Sequence, residues 1–262
     1  MARAQKEPTG QVNKWEKELA EMATVAAEQE ASAATGQFFG LKGGRLTFND
    51  APLPNNEMAV VVLDGILENV YYEGKYDPES LQSPTCFAFG RDEREMRPHD
   101  KVVSAQNPQC MNCPLNQFGS ADVGKGKACR NTRRLAMIAA GTIQNGRFTP
   151  FEDLDHFKTA AIAYMKLPVT SVKGYATFVK QLAGTLKRPP FAVFTKVKVV
   201  PDDKSQFKVT FEALATAPTE LLNVLKKRHE EAKEAIDFPY IPAEEVEKPA
   251  KGAKKPANKR KY

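Results

Sequence analysis

Three of the chain's four cysteines lie within twenty residues of one another, in a segment with little apolar content. The full set is Cys86, the pair Cys110-x-x-Cys113, and Cys129. Residues 90–128 are rich in Gly, Pro, Asn, Asp and Lys. A loop this long with so little to bury needs a cross-link to stay ordered. The cysteines therefore constrain the fold more than any other feature.

The cysteine spacing predicts a structural zinc site. Cys110 and Cys113 stand close enough in sequence to bind one tetrahedral cation together, and Cys86 and Cys129 complete a set of four ligands. Thiolates are soft ligands that suit Zn²⁺, and four protein ligands leave no open position for a substrate. The predicted cofactor is therefore a structural zinc ion.

Three other interpretations of the cysteines stay open. His99 could replace one cysteine as a ligand. A CxxC pair is also a redox motif, although Pro108 and Pro114 flank this one and a redox pair usually begins a helix. The four cysteines could also be unrelated buried residues, but their surroundings are polar. Disulfides are not expected, because we expect an intracellular and hence reducing setting.

The segment around the last cysteine is strongly cationic. GKGKACRNTRR carries five Lys and Arg and no acid, and alternating Gly and Lys suit phosphate contact through amides and ammonium groups. The run from Gly119 to Lys125 has the spacing of a P-loop, but Gly126 stands where a Ser or Thr would hold Mg²⁺. Nucleotide hydrolysis is not predicted, and a plain solvated loop is the alternative. The candidate phosphate contacts are Lys125, Lys127, Arg130, Arg133 and Arg134.

Several aromatic residues lie beside cations. Single-strand binders hold unpaired bases on exposed rings, and this stacking contributes roughly 1–3 kcal/mol per base. Any one ring in a strand is more often a core residue, so the hypothesis depends on the clustering of the rings. The candidate nucleic-acid contacts of this kind are Tyr71, Tyr72, Lys75, Tyr76 and Phe118.

Apolar periodicity predicts a β-rich α+β fold. Five or six strands with few helices indicate a small barrel or a sheet domain with helical additions. The internal Asp64-Gly65 pair predicts a bulge in the longest strand. A helix is predicted over 170–186 with Thr170 or Ser171 as its cap. The predicted strands are 38–41 paired with 45–48, 58–72, TCFAFG, 133–143, and 191–200 paired with 205–214.

The chain is predicted to have five parts. These are a disordered N-terminus (1–11), an N-terminal helix (12–35) with an apolar stripe of Trp15, Leu19 and Met22, a domain (36–215) containing the zinc loop 86–130, a C-terminal helix (216–237) and a disordered basic tail (243–262).

The net charge of +6 resides in the tail. The last fifteen residues hold seven Lys or Arg and no acid, so the rest of the chain is close to neutral. Such a tail raises encounter rates with polyanions; a solubilising terminus is the alternative. No run approaches the roughly 20 apolar residues of a membrane span, and the N-terminus lacks the apolar core of a signal peptide. We expect a soluble, intracellular protein that does not bind membranes.

Three stretches resemble a family of bacteriophage proteins that bind single-stranded DNA on an OB-fold. They are CMNCPLNQFGSADVGKGKACRNTRRLAMI, LPVTSVKGYATFVKQL and RPPFAVFTKVKV, and the resemblance covers roughly 36–214. It implies an OB-fold-like small barrel with a zinc-stapled loop insertion, phage replication or recombination proteins as partners, and a location in the cytoplasm of an infected bacterial cell. It leaves open whether the protein is an oligomer. Many single-strand binders end in an acidic tail. This chain ends in KKPANKRKY, so tail contact with DNA is expected instead.

The predicted function is sequence-independent binding of single-stranded DNA in phage replication or recombination, without enzymatic activity. The alternative is a zinc-containing phage transcription or host-takeover factor that binds a protein. An enzyme is not predicted, because the chain has no HxE–PCxxC deaminase pattern and no acids spaced for two metals. Asp153, Asp155 and His156 are more typical of a helix start, where acids favour the dipole.

Overall fold

The computed structural model describes residues 37–74 and 83–240, together with Trp15, Leu19 and Met22. These three residues are helical and 64%, 60% and 64% exposed, so their apolar stripe does not pack on the domain in this structure. The remaining predictions for 1–35 and those for 243–262, Lys75 and Tyr76 lie outside the described residues.

The described chain is a strand-rich α+β fold, as predicted, and none of its described helices is long and apolar enough to span a membrane. The strands are β1 (Gln37–Gly40), β2 (Thr47–Phe48), β3 (Ala51–Pro52), β4 (Glu57–Tyr71), β5 (Cys86–Gly90), β6 (Arg130–Gln144), β7 (Arg147–Pro150), β8 (Ala163–Leu167), β9 (Val193–Asp202) and β10 (Gln206–Thr216). The helices are α1 (Leu154–Thr159), α2 (Val169–Gln181) and α3 (Thr219–Ala235).

All ten strands belong to one mixed, mostly open sheet. Its order is β10-β9-β4-β6-β8-β1-β2-β3, with β5 paired to β4 and β7 paired to β6. The β1–β8 pair is parallel and the other pairs are antiparallel. The turn after β1 returns to β10, since a Cβ built on Gly44 would lie 3.4 Å from the Phe207 side chain. The sheet therefore curls around its inner face.

The bulge predicted in the longest strand is present. The β4–β6 register shifts between Val62 and Asp64. A Cβ on Gly65 would lie 2.9 Å from the Leu135 side chain, so a larger residue here would have to displace that side chain. The bend lets β4 pair with β9 through its first residues and with β5 through its last, while β6 follows its whole length.

Two apolar clusters lie on opposite faces of the sheet, because successive strand residues point to opposite sides. Val60 and Val62 of β4 face the inner cluster, which α2 covers. Val61 and Leu63 face the outer cluster, which α3 and α1 cover. The C-terminal helix therefore packs its apolar face on the outside of the sheet.

The predicted cap of α2 is wrong. This helix begins after Pro168, whose ring has no hydrogen-bonding group that could cap it. The Ser171 hydroxyl instead accepts a hydrogen bond from the Val209 N–H at 2.9 Å. The acids at the start of α1 behave as expected, since the Asp153 carboxylate accepts the Asp155 N–H at 2.8 Å.

Candidate metal centre and nucleic-acid interface

The sheet and the loop bring the four cysteines to one end of β4. Cys86 begins β5 directly opposite Tyr71, the last residue of β4. Cys129 precedes β6, whose first residue pairs with Val70 on the other side of β4. Cys110 and Cys113 bound a single 3-10 turn in the long loop. Three segments of the chain thus meet at this end.

All four cysteines line one cavity of about 20 Å³. A cavity of that volume has room for about one water molecule. Cys110 and Cys113 are buried, whereas Cys86 and Cys129 are half-buried. Within 37–74 and 83–240, no three His, Cys, Asp or Glu side chains stand close enough to hold a metal ion as they are.

The electrostatics of the thiols reflect their burial and their mutual proximity. Burial, with a smaller contribution from the neighbouring cysteines, raises the pKa of Cys110 to about 11 and that of Cys129 to about 12. Burial also raises the pKa of Cys86, with Cys113 adding to the effect. A cation among the four sulfurs would remove this cost, because it favours the thiolate form.

Asn69 provides a second observation that suits thiolate ligands. Its side-chain nitrogen is buried and has no hydrogen-bond acceptor within normal distance among the described residues. The same amide lies near Cys110 and lowers the pKa of that thiol, against the effect of burial. An amide donor beside a sulfur is the kind of neighbour that orients a metal-bound thiolate. The four cysteines therefore fit a structural Zn²⁺ site.

Polar contacts hold the long loop against β6. The Cys129 N–H donates to the Leu115 carbonyl at 2.8 Å. The Asn116 amide donates to the Cys110 carbonyl at 2.7 Å and accepts from the Asn131 amide at 2.9 Å. These bonds tie the Cys110–Cys113 turn to the start of β6, so the position of the cationic segment depends on the cysteine cluster.

His99 does not line the cysteine cavity, although its neighbours Phe87 and Pro98 do. Its ring stacks on Phe87 with the centroids 5.2 Å apart, and its Nδ1 accepts the Lys101 N–H at 3.1 Å. The structure therefore gives His99 other partners than the four sulfurs.

A second, polar pocket of about 310 Å³ adjoins the cysteine cavity and shares Tyr71 and Leu115 with it. It brings together four residues that the sequence predicted to contact nucleic acid: Tyr71, Tyr72, Lys127 and Arg130. We refer to it as the loop pocket. Two rings and two cations therefore converge at the end of β4.

Phe118 lies in the loop and is 83% exposed. The Lys127 ammonium lies 5.2 Å from its ring centroid and also donates to the Asn116 side chain at 3.2 Å. Lys125 is exposed, and its carbonyl accepts the Gly119 N–H in a compact turn. A free ring beside a cation is the arrangement that stacks an unpaired base.

Arg134 does not join the loop pocket. It is only 4% exposed and forms an ion pair with the fully buried Glu68 at 2.8 Å. Its guanidinium also donates to the Ile236 carbonyl at 3.0 Å and to the Phe238 carbonyl at 2.7 Å. It thus secures the C-terminal segment to the sheet, and its burial keeps it from the surface phosphates that the sequence predicted it to contact.

Arg133 points to the opposite face from Arg134, because the two are neighbours in β6. Its guanidinium lies 5.8 Å from the Tyr175 ring, beside α2. The cluster of five cations predicted from sequence is therefore divided: Lys125, Lys127 and Arg130 lie at the loop, and the two later arginines face elsewhere.

Sequence reasoning missed Lys166, which lies opposite Arg134 in the β6–β8 pair. Its ammonium is 5.9 Å from the Tyr72 ring and donates to the Tyr240 hydroxyl at 2.8 Å. The alternation in AYMKL is the signal that could have revealed the strand, with Tyr164 and Lys166 on its outer side.

No protein-family model, curated protein or solved structure matches this chain.

Proposed function

We propose that the protein binds single-stranded DNA without sequence preference and without catalysing a reaction. The observation that carries the proposal is the loop pocket, where Tyr71, Tyr72, Lys127 and Arg130 converge beside the exposed ring of Phe118. Rings stack on any base and cations neutralise any phosphate, so neither contact selects a sequence.

Zinc has a structural part in this proposal. Cys86, Cys110, Cys113 and Cys129 would hold it, tying the start of β5, the loop turn and the start of β6 together. A four-thiolate zinc site contributes folding free energy and offers no position for a substrate. Lys127 and Arg130 stand on either side of Cys129, so the ion would fix the cations that contact DNA.

Five of the strands support an OB-like barrel. β4, β6 and β8 form a three-stranded meander, α2 follows, and the β9–β10 hairpin returns to β4, which gives the order β10-β9-β4-β6-β8. An OB-fold is a partly open five-stranded barrel that binds oligonucleotides with its second and third strands and the loop after its first strand. Here that loop carries the cysteines, and the second and third strands are β6 and β8.

The biological setting in the proposal is phage DNA replication or recombination in the bacterial cytoplasm, with the proteins of those processes as partners. Its support is the resemblance of the CMNCPLNQFGSADVGKGKAC stretch to phage single-strand binders. The alternative of a transcription or host-takeover factor drew on the apolar face of the C-terminal helix. That face is buried on β4, since Leu221 and Leu225 belong to the outer cluster, so the structure offers this alternative less support.

The proposal is tested by titrating a labelled oligo-dT with the protein and measuring fluorescence anisotropy. Arg130→Ala should weaken binding severalfold, and Phe118→Ala should weaken it on the order of tenfold. Arg147→Ala is the matched control, because Arg147 is also an exposed arginine but lies beyond the other end of β6. Equal effects of the two arginine substitutions, or no binding by the wild type, would reject the proposal.

A further inference from the structure

A row of aromatic and charged side chains crosses β6, β8 and β1 on the outer face of the sheet. Arg134 is directly opposite Lys166, and Tyr164 is directly opposite Phe38. Side chains opposite one another on neighbouring strands lie within contact distance. Residues from three strands therefore form one continuous surface beside the loop pocket.

Three rings line an open cavity on this surface. The ring centroids of Tyr164 and Phe238 are 4.8 Å apart. The ring centroid of Phe38 lies 5.9 Å from that of Phe238 and 6.1 Å from that of Tyr164. The cavity measures about 440 Å³, which is within the usual range for a small-molecule ligand. Phe38 remains 44% exposed although its ring forms part of the wall.

Among the described residues that line the cavity, one cation has no carboxylate partner. Glu68 neutralises Arg134 through the buried ion pair. The Tyr240 hydroxyl donates to Glu68 at 2.6 Å and accepts from Lys166 at 2.8 Å, so a neutral group separates the ammonium from the carboxylate. An aromatic cavity with a single cation at its edge suits a neutral planar ring joined to one negatively charged group, and each nucleotide of a strand, with its base and its phosphate, is such a unit.

Lys166 also connects this cavity to the loop pocket. Its ammonium lies 5.9 Å from the Tyr72 ring, and Tyr72 lines the loop pocket. A strand seated on Lys127 and Arg130 can thus continue past Tyr72 without leaving the surface.

We propose that the cavity of Phe38, Tyr164 and Phe238, with Lys166 at its edge, is a second nucleotide-binding pocket that holds one unit of the bound strand beyond the loop pocket. The proposal rests on the proposed function, because it extends the path of the same strand. It adds contacts from β1 and from the C-terminal segment, which lie outside the five strands of the OB-like barrel.

The test compares oligo-dT of about four and about sixteen nucleotides, the range of lengths that single-strand sites cover. Phe38→Ala should weaken binding of the longer strand about tenfold and leave the shorter one within twofold, because the short strand fits in the loop pocket alone. Phe38→Tyr, which keeps the ring, should bind both like the wild type. Arg130→Ala should weaken both lengths alike. Thermal unfolding of each variant establishes that it is folded.

Two further outcomes separate the hypotheses. If Phe38→Ala has no effect on the long strand, or weakens both lengths equally, the second pocket is refuted while the loop pocket stands. If the wild type binds neither length, the proposed function itself fails.

A free mononucleotide, dTMP, is added as a competitor at a concentration equal to that of the long strand's nucleotides. Full displacement of the long strand would show that the cavity serves free nucleotides and would overturn the assignment to a strand.

Discussion

The buried ion pair between Glu68 and Arg134 makes a sharp prediction about stability. Both side chains are almost fully enclosed, at 0% and 4% exposure, and the pair is 2.8 Å long. Glu68→Gln keeps the shape of the side chain but leaves the guanidinium without its counter-ion. Breaking one partner of a buried pair costs about 3–5 kcal/mol, because a desolvated charge remains. For a domain of this size we expect the Tm to fall by about 6–20 °C.

The double variant distinguishes a broken pair from a general loss of packing. Glu68→Gln combined with Arg134→Met removes both charges, and replacing a buried pair by uncharged groups is often close to neutral. Urea unfolding followed by circular dichroism should therefore show the double variant more stable than either single variant. Lys158→Ala is the control, since the Lys158–Asp155 pair is largely exposed and should contribute below about 0.5 kcal/mol. Single variants that lose less than about 1 kcal/mol, or a double variant that loses the sum of the two, would refute the reasoning.

Three other perturbations have defined outcomes. Removing zinc with a chelator should lower both the Tm and the affinity for oligo-dT, and a metal assay that finds no zinc in the purified protein would contradict this. In metal-free protein the pKa values of Cys110 (about 11) and Cys129 (about 12) are raised above the ordinary thiol value of 9.0. Above pH 9.0 the folded state therefore holds more protons than the unfolded chain, and the free energy of unfolding should fall as the pH rises. Urea midpoints that do not change from pH 8 to about 11 would contradict this prediction. Gly141→Ala should destabilise the sheet, because the new Cβ would lie 2.1 Å from the Thr149 carbonyl oxygen. Gly174→Ala in α2 is the matched control: its Cβ meets nothing within 4 Å, and it should stabilise the protein by about 0.5–1 kcal/mol. Equal urea midpoints for the two variants would show that the close approach at Gly141 does not matter.

The long strands could be predicted because their apolar patterns are unambiguous. The prediction of 58–72 with a bulge at Asp64-Gly65 differs from β4 by one residue at each end. β8 was missed, since five residues between two helices carry too short an alternation to stand out. Its absence from the prediction also hid Lys166, and with it the outer surface of the sheet.

The candidate site was partly predictable for a related reason. Sequence proximity placed Lys127 and Arg130 in one cationic segment, and the structure brings both to the pocket that Tyr72 also lines, where the loop meets the ends of β4 and β6. It failed for Arg134, whose environment depends on Glu68 and on a carbonyl of Phe238, more than a hundred residues later in the chain. Contacts of that kind are set by the tertiary packing of α3 and are not visible in a local motif.

The most direct test of the account is the affinity of the whole chain for single-stranded and duplex DNA of the same length at two salt concentrations. We expect a preference for the single strand and a logarithmic salt slope of about −2, since roughly three cations at the loop would each neutralise one phosphate. Equal affinity for duplex and single strand, or an affinity that does not change with salt, would contradict the proposal that this surface holds unpaired bases beside neutralised phosphates.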